Sequence, residues 1–175
     1  MPLASVLAAL ADIPACPNWM HRCQTARVLE TGSRQERVVH QVTDLPFPVK
    51  SRDLVFRVTL ESDGPAVVIR LEALPDHIPE ERGTGRIRKS HGHYRLEETA
   101  GGTRITWQQF VDPAGRMPAF LARGMMTDVP IKSLRSLSSW ARESRYAGFR
   151  LLRDADGRVL ELLPPSGEGI PASEV

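Results

Sequence analysis

The sequence predicts an α+β domain: short N-terminal helices, a run of antiparallel strands, and one long C-terminal helix. Three observations predict it. Five or six segments of two-residue alternation follow one another between residues 27 and 112, punctuated by turn signals at Thr31-Gly32-Ser33-Arg34, Asp63-Gly64-Pro65 and Ala100-Gly101-Gly102, which is the pattern of a meander. An apolar, helix-periodic stretch opens at Pro118 and runs to about Glu143. The chain's 175 residues, 41% hydrophobic and 25% charged, suffice for one domain with a substantial core.

Leu3, Val6, Leu7 and Leu10 recur at helical spacing, and Asp12-Ile13-Pro14 ends that helix. Pro17 opens a short second helix carrying Trp19 and Met20. Arg27 to Glu30 reads as a strand and Glu36 to Thr43 as its return, with Val38, His40 and Val42 on one face and Val39 and Gln41 on the other. In Leu45-Pro46-Phe47-Pro48-Val49-Lys50-Ser51-Arg52-Asp53, two prolines two apart forbid helix and impose a stiff, extended approach to the next strand. That strand, Leu54 to Ser62, puts Leu54, Phe56, Val58 and Leu60 on one face and Val55, Arg57, Thr59 and Glu61 on the other. Ala66 to Ala73 pairs back, with Val67, Ile69 and Leu71 opposite Val68, Arg70 and Glu72. Leu74 to Gly85 is a loop; Arg86 to Glu98 and Thr103 to Asp112 are further strands. The helix from Pro118 is apolar on more than one side in its first half (Phe120, Leu121, Met125, Met126, Val129). Its second half carries one stripe, Ile131, Leu134, Leu137 and Ala141, with Trp140 at the margin. Pro130 between the halves predicts a kink.

A net charge of +2 from 23 basic and 21 acidic residues leaves no nucleic-acid footprint, so no nucleic-acid partner is expected. No apolar run approaches the roughly 20 residues of a membrane span. Residues 1–15 are apolar but lack a basic leading segment, which reads as a helix and not a signal peptide and places the chain in the cytoplasm. Cys16 and Cys23 lie seven apart; a disulfide is open to them, but two buried reduced thiols are the expectation. His91 and His93 share a strand face, but a third ligand is lacking and Lys89 and Arg95 would repel a cation. No metal and no cofactor are expected, and His40 is expected to be a satisfied sheet histidine.

Four passages resemble START (steroidogenic acute regulatory protein-related lipid transfer) domains, within the wider helix-grip superfamily. The proline segment ending in Arg52-Asp53 is similar to their "P-W-P-V-x-x-R-D" signature. Asp12, Trp19 and Ala26-Arg27-Val28-Leu29-Glu30 resemble "D…W…A-x-V-L-E". Leu74 to Pro79 followed by Arg86-Ile87-Arg88 resembles "H-P-x-x-P…V-R", and Asp112-Pro113-Ala114-Gly115-Arg116-Met117-Pro118 resembles "D-P-x-G-x-x-P". Together they cover roughly residues 3 to 145. The resemblance implies a helix-grip fold, a curved antiparallel sheet wrapped around the C-terminal helix with a tunnel between them. It also implies that residues 75–85 and the start of that helix guard the entrance. One departure stands out. The family's N-terminal hairpin is missing, whereas Phe149 to Leu162, with a hairpin turn at Asp156-Gly157, looks like such a hairpin at the other end. The expected organisation is therefore a START-like domain over 1–146, followed by a hairpin and flexible tail over 147–175. The hairpin would supply the missing edge strands, in the same molecule or by exchange in a homodimer.

The function implied is binding of a hydrophobic, lipid- or sterol-like small molecule in an internal cavity, as a carrier, transfer protein or sensor. Expected cavity contacts are Phe56, Tyr94, Trp107 and Gln109 from the sheet and Met117, Phe120, Leu121 and Met125 near the start of the long helix. Arg70 and Glu72 share a face with Val68. Turned inward they form a polar pair able to orient a ligand's hydroxyl, carboxylate or carbonyl; turned outward they are a solvated surface. Arg52-Asp53 reads as a local ion pair at the strand entry. Arg116 and Arg123 offer transient contact with lipid phosphates. The competing readings are a polyketide aromatase/cyclase-like enzyme using Arg70, Glu72 and Tyr94, and a module whose groove receives a partner's helix.

Overall fold

Each long strand of the main sheet pairs with the next in the chain, as a meander requires. In the computed structural model, which describes residues 1–33, 35–113, 115 and 117–165, these are β1 (Cys23–Ser33), β2 (Glu36–Thr43), β3 (Arg52–Asp63), β4 (Ala66–Ala73), β6 (Ser90–Thr99) and β7 (Gly102–Val111), antiparallel throughout. The two-residue β5 (Gly85–Arg86) adds a parallel pair to β3. Arg34, Ala114, Arg116 and the expected tail over 166–175 lie outside the described residues. Strands begin or end up to four residues from their sequence-read limits, and β1, read as four residues, spans eleven. Its residues after Glu30 are polar and exposed, so no alternation marks them.

α1 (Leu3–Ala11) is apolar but for Ser5, and Leu3 through Ala9 are buried, as so apolar a helix must be. It packs with Val67, Leu96, Leu137, Tyr146 and Val159 into one core. A single helical turn, α2 (Cys16–Trp19), follows. The long helix α3 (Ala119–Trp140) runs through Pro130 and packs against α1 and α2. Its buried residues are Leu121, Ser133 and Leu137. Ile131, expected in the apolar stripe, is 51% exposed; Ser133 takes the inner position because its hydroxyl accepts the His21 backbone N–H at 2.9 Å.

The structure corrects the expectation of reduced thiols. Cys16 and Cys23 form a disulfide, their Cα atoms 6.2 Å apart. The chain reverses between α2 and β1, which returns Cys23 to the start of the helical turn.

Arg52 and Asp53 are both buried, at 6% and 0% exposure, but are not partners of each other. Adjacent strand residues face opposite ways. Arg52 donates to the Pro113 carbonyl at 2.6 Å. Asp53 receives Arg86 Nη2 at 2.7 Å and Nε at 2.8 Å, Thr84 Oγ1 at 3.1 Å, and lies 3.2 Å from His40 Nε2. Burial works against the Asp53 carboxylate, yet the bonds and charge of Arg86, with His40 and Thr84, hold it below the usual carboxyl range. Arg86 also donates to the carbonyls of Pro75, Ile78 and Pro79. Residues 75–85 are thereby pinned over His40 on the outer face of the sheet. That corrects their expected place at the cavity entrance.

The C-terminal hairpin forms as read, β8 (Arg150–Arg153) with β9 (Val159–Leu163). It stays a separate two-stranded sheet, so within this chain it does not complete the main sheet's edge. It docks side-on instead: the Ser62 hydroxyl accepts the Val159 N–H at 2.9 Å and donates to the Val159 carbonyl at 3.0 Å. Val159, 5% exposed, enters the core.

Candidate functional site

The inner face of the sheet follows from register. Leu60 pairs with Ile69 and Val58 with Leu71, so the apolar faces of β3 and β4 are one surface. Across β2 the same face continues through Val39 and Gln41, and across β6 and β7 through Tyr94, Trp107 and Gln109. Between this floor and the helices lies a cavity of about 170 Å³. Trp19 and Met20 close it from the α2 side, Met125 and Val129 from α3. Gly92 lies on this face opposite Gln109. A Cβ there would meet the Gln108 carbonyl oxygen and come within 2.7 Å of Gln109 Cα, so the close approach of β7 requires glycine.

The cavity wall is mainly apolar, and its polar groups fall into two kinds. Some are satisfied: Trp107 Nε1 donates to Gln109 Oε1 at 3.1 Å, and Gln109 Nε2 donates to Ser90 Oγ at 3.1 Å. Two are not. Tyr94 (4% exposed) and Trp19 (6% exposed) hold their O–H and Nε1–H buried, without a hydrogen-bond partner among the described residues. Tyr94 stacks on Trp107 with ring centroids 5.0 Å apart, and burial pushes its phenol well above the ordinary tyrosine range. A buried donor left unpaired costs about 1–3 kcal/mol, so an acceptor brought by a guest would relieve each. His21, at the cavity's edge, is held toward its neutral form by burial and by the charges of Lys132 and Arg22.

Phe56, Tyr94, Trp107, Gln109 and Met125 line the cavity. Leu121 is buried but is not part of this wall. Met117 lines an open surface recess with Pro48, Val49, Lys50, Arg52 and Pro118, and Phe120 is 72% exposed. Arg70 and Glu72 point outward, and Arg70 pairs with Glu61 at 2.6 Å on the sheet's outer face. The inward alternative for them is thereby corrected: with Ile69 and Leu71 on the floor, alternation sends Arg70 and Glu72 to the other side. Nothing in the sequence marks Trp19 as a site residue: its place on the cavity wall depends on how the α2 turn sits over the sheet. No group of three His, Cys, Asp or Glu side chains suited to a metal occurs among the described residues.

The chain belongs to the polyketide cyclase/dehydrase and lipid transport family, which matches residues 1–137. It is 33% identical over 143 residues to the uncharacterized protein PA1579 of Pseudomonas aeruginosa, covering 81% of this chain and 70% of that one. Among solved structures, a STAR-related lipid transfer protein from Xanthomonas axonopodis (fragment 25–204) is 30% identical with a TM-score of 0.74, covering 81% of this chain and 80% of that one. Human STARD10 superposes with a TM-score of 0.71 at 18% identity over 81% of this chain and 58% of its own. The Zhui aromatase/cyclase from Streptomyces sp. R1128 shares the fold at a TM-score of 0.54 and 18% identity, over 84% of this chain and 91% of that one. These matches bear out the START resemblance and the helix-grip fold.

Proposed function

We propose that the chain holds a hydrophobic small molecule in the cavity between sheet and α3, as a carrier, transfer protein or sensor. The observation that carries this reading is the pair of buried, unpaired donors, Trp19 Nε1–H and Tyr94 O–H, on the wall of one apolar cavity. A lipid- or sterol-like guest bearing a carbonyl or hydroxyl oxygen would satisfy them while its hydrocarbon leaves water at about 25 cal/mol per Å². The family and the lipid-transfer neighbours support the same reading. An aromatase/cyclase would need acid–base groups converging in the cavity. Two of the three residues considered for that role, Arg70 and Glu72, are on the outer face, which favours holding over chemistry.

The test is a titration of the full chain with a long-chain alcohol, followed by tryptophan fluorescence. The wild-type protein saturates. Met125→Trp, which fills the cavity from α3, weakens binding about tenfold or more while melting within a few degrees of wild type. Tyr94→Phe keeps its stability, because it removes an unpaired hydroxyl, and binds more weakly. Binding that ignores both substitutions would place the guest elsewhere.

The Cys16–Cys23 bond supports an oxidising compartment in place of the cytoplasm expected from sequence. Finding both thiols free in protein drawn rapidly from its native source would overturn that placement. No helix among the described residues is long and apolar enough to cross a membrane.

A further inference from the structure

A second hollow, of about 330 Å³, lies under the C-terminal hairpin. Leu10, Ile13, Val58 and Ile69 line both hollows. The same strand faces serve both: on β2 the inward residues run Arg37, Val39, Gln41, Thr43, with Arg37 in the second hollow and the other three in the first. Alone, the first hollow is smaller than the roughly 300–1,000 Å³ of ordinary ligand pockets, and the second sits at the low edge of that range.

Arg37 is the unusual residue. It is half-buried, opposite Val58 in the β2–β3 ladder. Its Nη1 donates to the Ala11 carbonyl at 3.4 Å, and it forms no ion pair among the described residues. Burial lowers its pKa, which is the direction for a guanidinium losing water without gaining a carboxylate. Glu161, the acid on the hairpin side of this hollow, has a partner of its own. A guanidinium beside Leu60, Phe149 and Leu162 is costly unless something anionic meets it, and its fork of donors suits a carboxylate or phosphate.

We propose that the two hollows form one groove for an anionic single-chain amphiphile. Its charged group rests on Arg37 beneath the hairpin, and its chain passes Ile13 and Val58 into the cavity under α3, where an oxygen carried farther along it is the acceptor for Trp19 and Tyr94. The span fits: the six steps along β2 from Arg37 to Thr43 cover about 20 Å at ~3.4 Å per residue, the reach of an ordinary long-chain fatty acid. The inference rests on the cavity reading above and adds the headgroup's charge and position.

Calorimetric titration of the full chain with oleate and with oleyl alcohol tests it, since the two share a hydrocarbon chain and differ in charge. Wild-type protein binds oleate about tenfold or more tightly than the alcohol, as a charge-assisted hydrogen bond in a half-buried site allows. Arg37→Gln brings the ratio of the two affinities near one, and Arg37→Lys restores a preference for oleate. Circular dichroism melts on both variants separate this loss from misfolding. Equal affinities in the wild type, or an oleate preference that survives Arg37→Gln, would overturn the proposal. If the alcohol binds and charge makes no difference, the anchor alone falls; if neither binds, the cavity reading falls with it.

Discussion

Three side chains converge on the fully buried Asp53 carboxylate, and their balance sets a pH dependence. Its folded-state pKa is depressed, so its stabilising contribution is complete above the unfolded value of about 3.9 and is lost as pH falls through the lower folded value. Urea unfolding should therefore show an acid limb beginning near pH 4. Asp53→Asn should remove part of that limb and cost about 3–5 kcal/mol at neutral pH, because it leaves Arg86 buried against an uncharged partner; an unchanged midpoint would refute the network's role. The Arg52-Asp53 pair is legible in the sequence and its partners are not, since Arg86 lies 33 positions on and returns to Asp53 only through the β3–β5 pairing. For Arg70 the missing information was within reach. The turn at Asp63-Gly64-Pro65 fixes Leu60 opposite Ile69, and once Leu60 faces inward, Arg70 must face outward. Both faces of β4 begin with valine, which hid that choice.

The C-terminal hairpin was legible as an element and misread as a partner. Asp156-Gly157 marks its turn, and Gly157 has a φ of +79°, the conformation such a turn asks of glycine. What no local pattern conveys is where the hairpin docks. Its own two strands satisfy each other's backbone, so Val159 and its neighbours bury side chains against α1 without joining the sheet. Val159→Asp should cost about 3 kcal/mol or more by placing a charge in that core, read as a shifted urea midpoint; a wild-type midpoint would mean the hairpin contributes nothing. α3 shows the same limit. Apolar residues alone mark one stripe, whereas a serine that accepts a backbone N–H from the α2–β1 turn holds the inner position.

Across the molecule, the meander, the long helix and five of ten expected cavity residues could be read from alternation and motif order. The depth and ends of the cavity could not, because they depend on how far α3 stands off the sheet. The apolar exterior also belongs to the whole fold. Phe47 is 97% exposed and Phe120 72%, and they adjoin in sequence the recess lined by Pro48, Val49, Met117 and Pro118. If this end touches membranes transiently, Phe47→Asp should lower co-sedimentation with vesicles of mixed neutral and anionic lipid several-fold; unaltered sedimentation would remove the contact.

The central claim is that the space beneath α3 holds a guest. Native mass spectrometry of freshly purified protein, before and after organic extraction, tests it most directly. The account predicts a population carrying a lipid-sized adduct that extraction removes and an added long-chain amphiphile restores. Bare protein mass alone, unchanged by any added amphiphile, would contradict it.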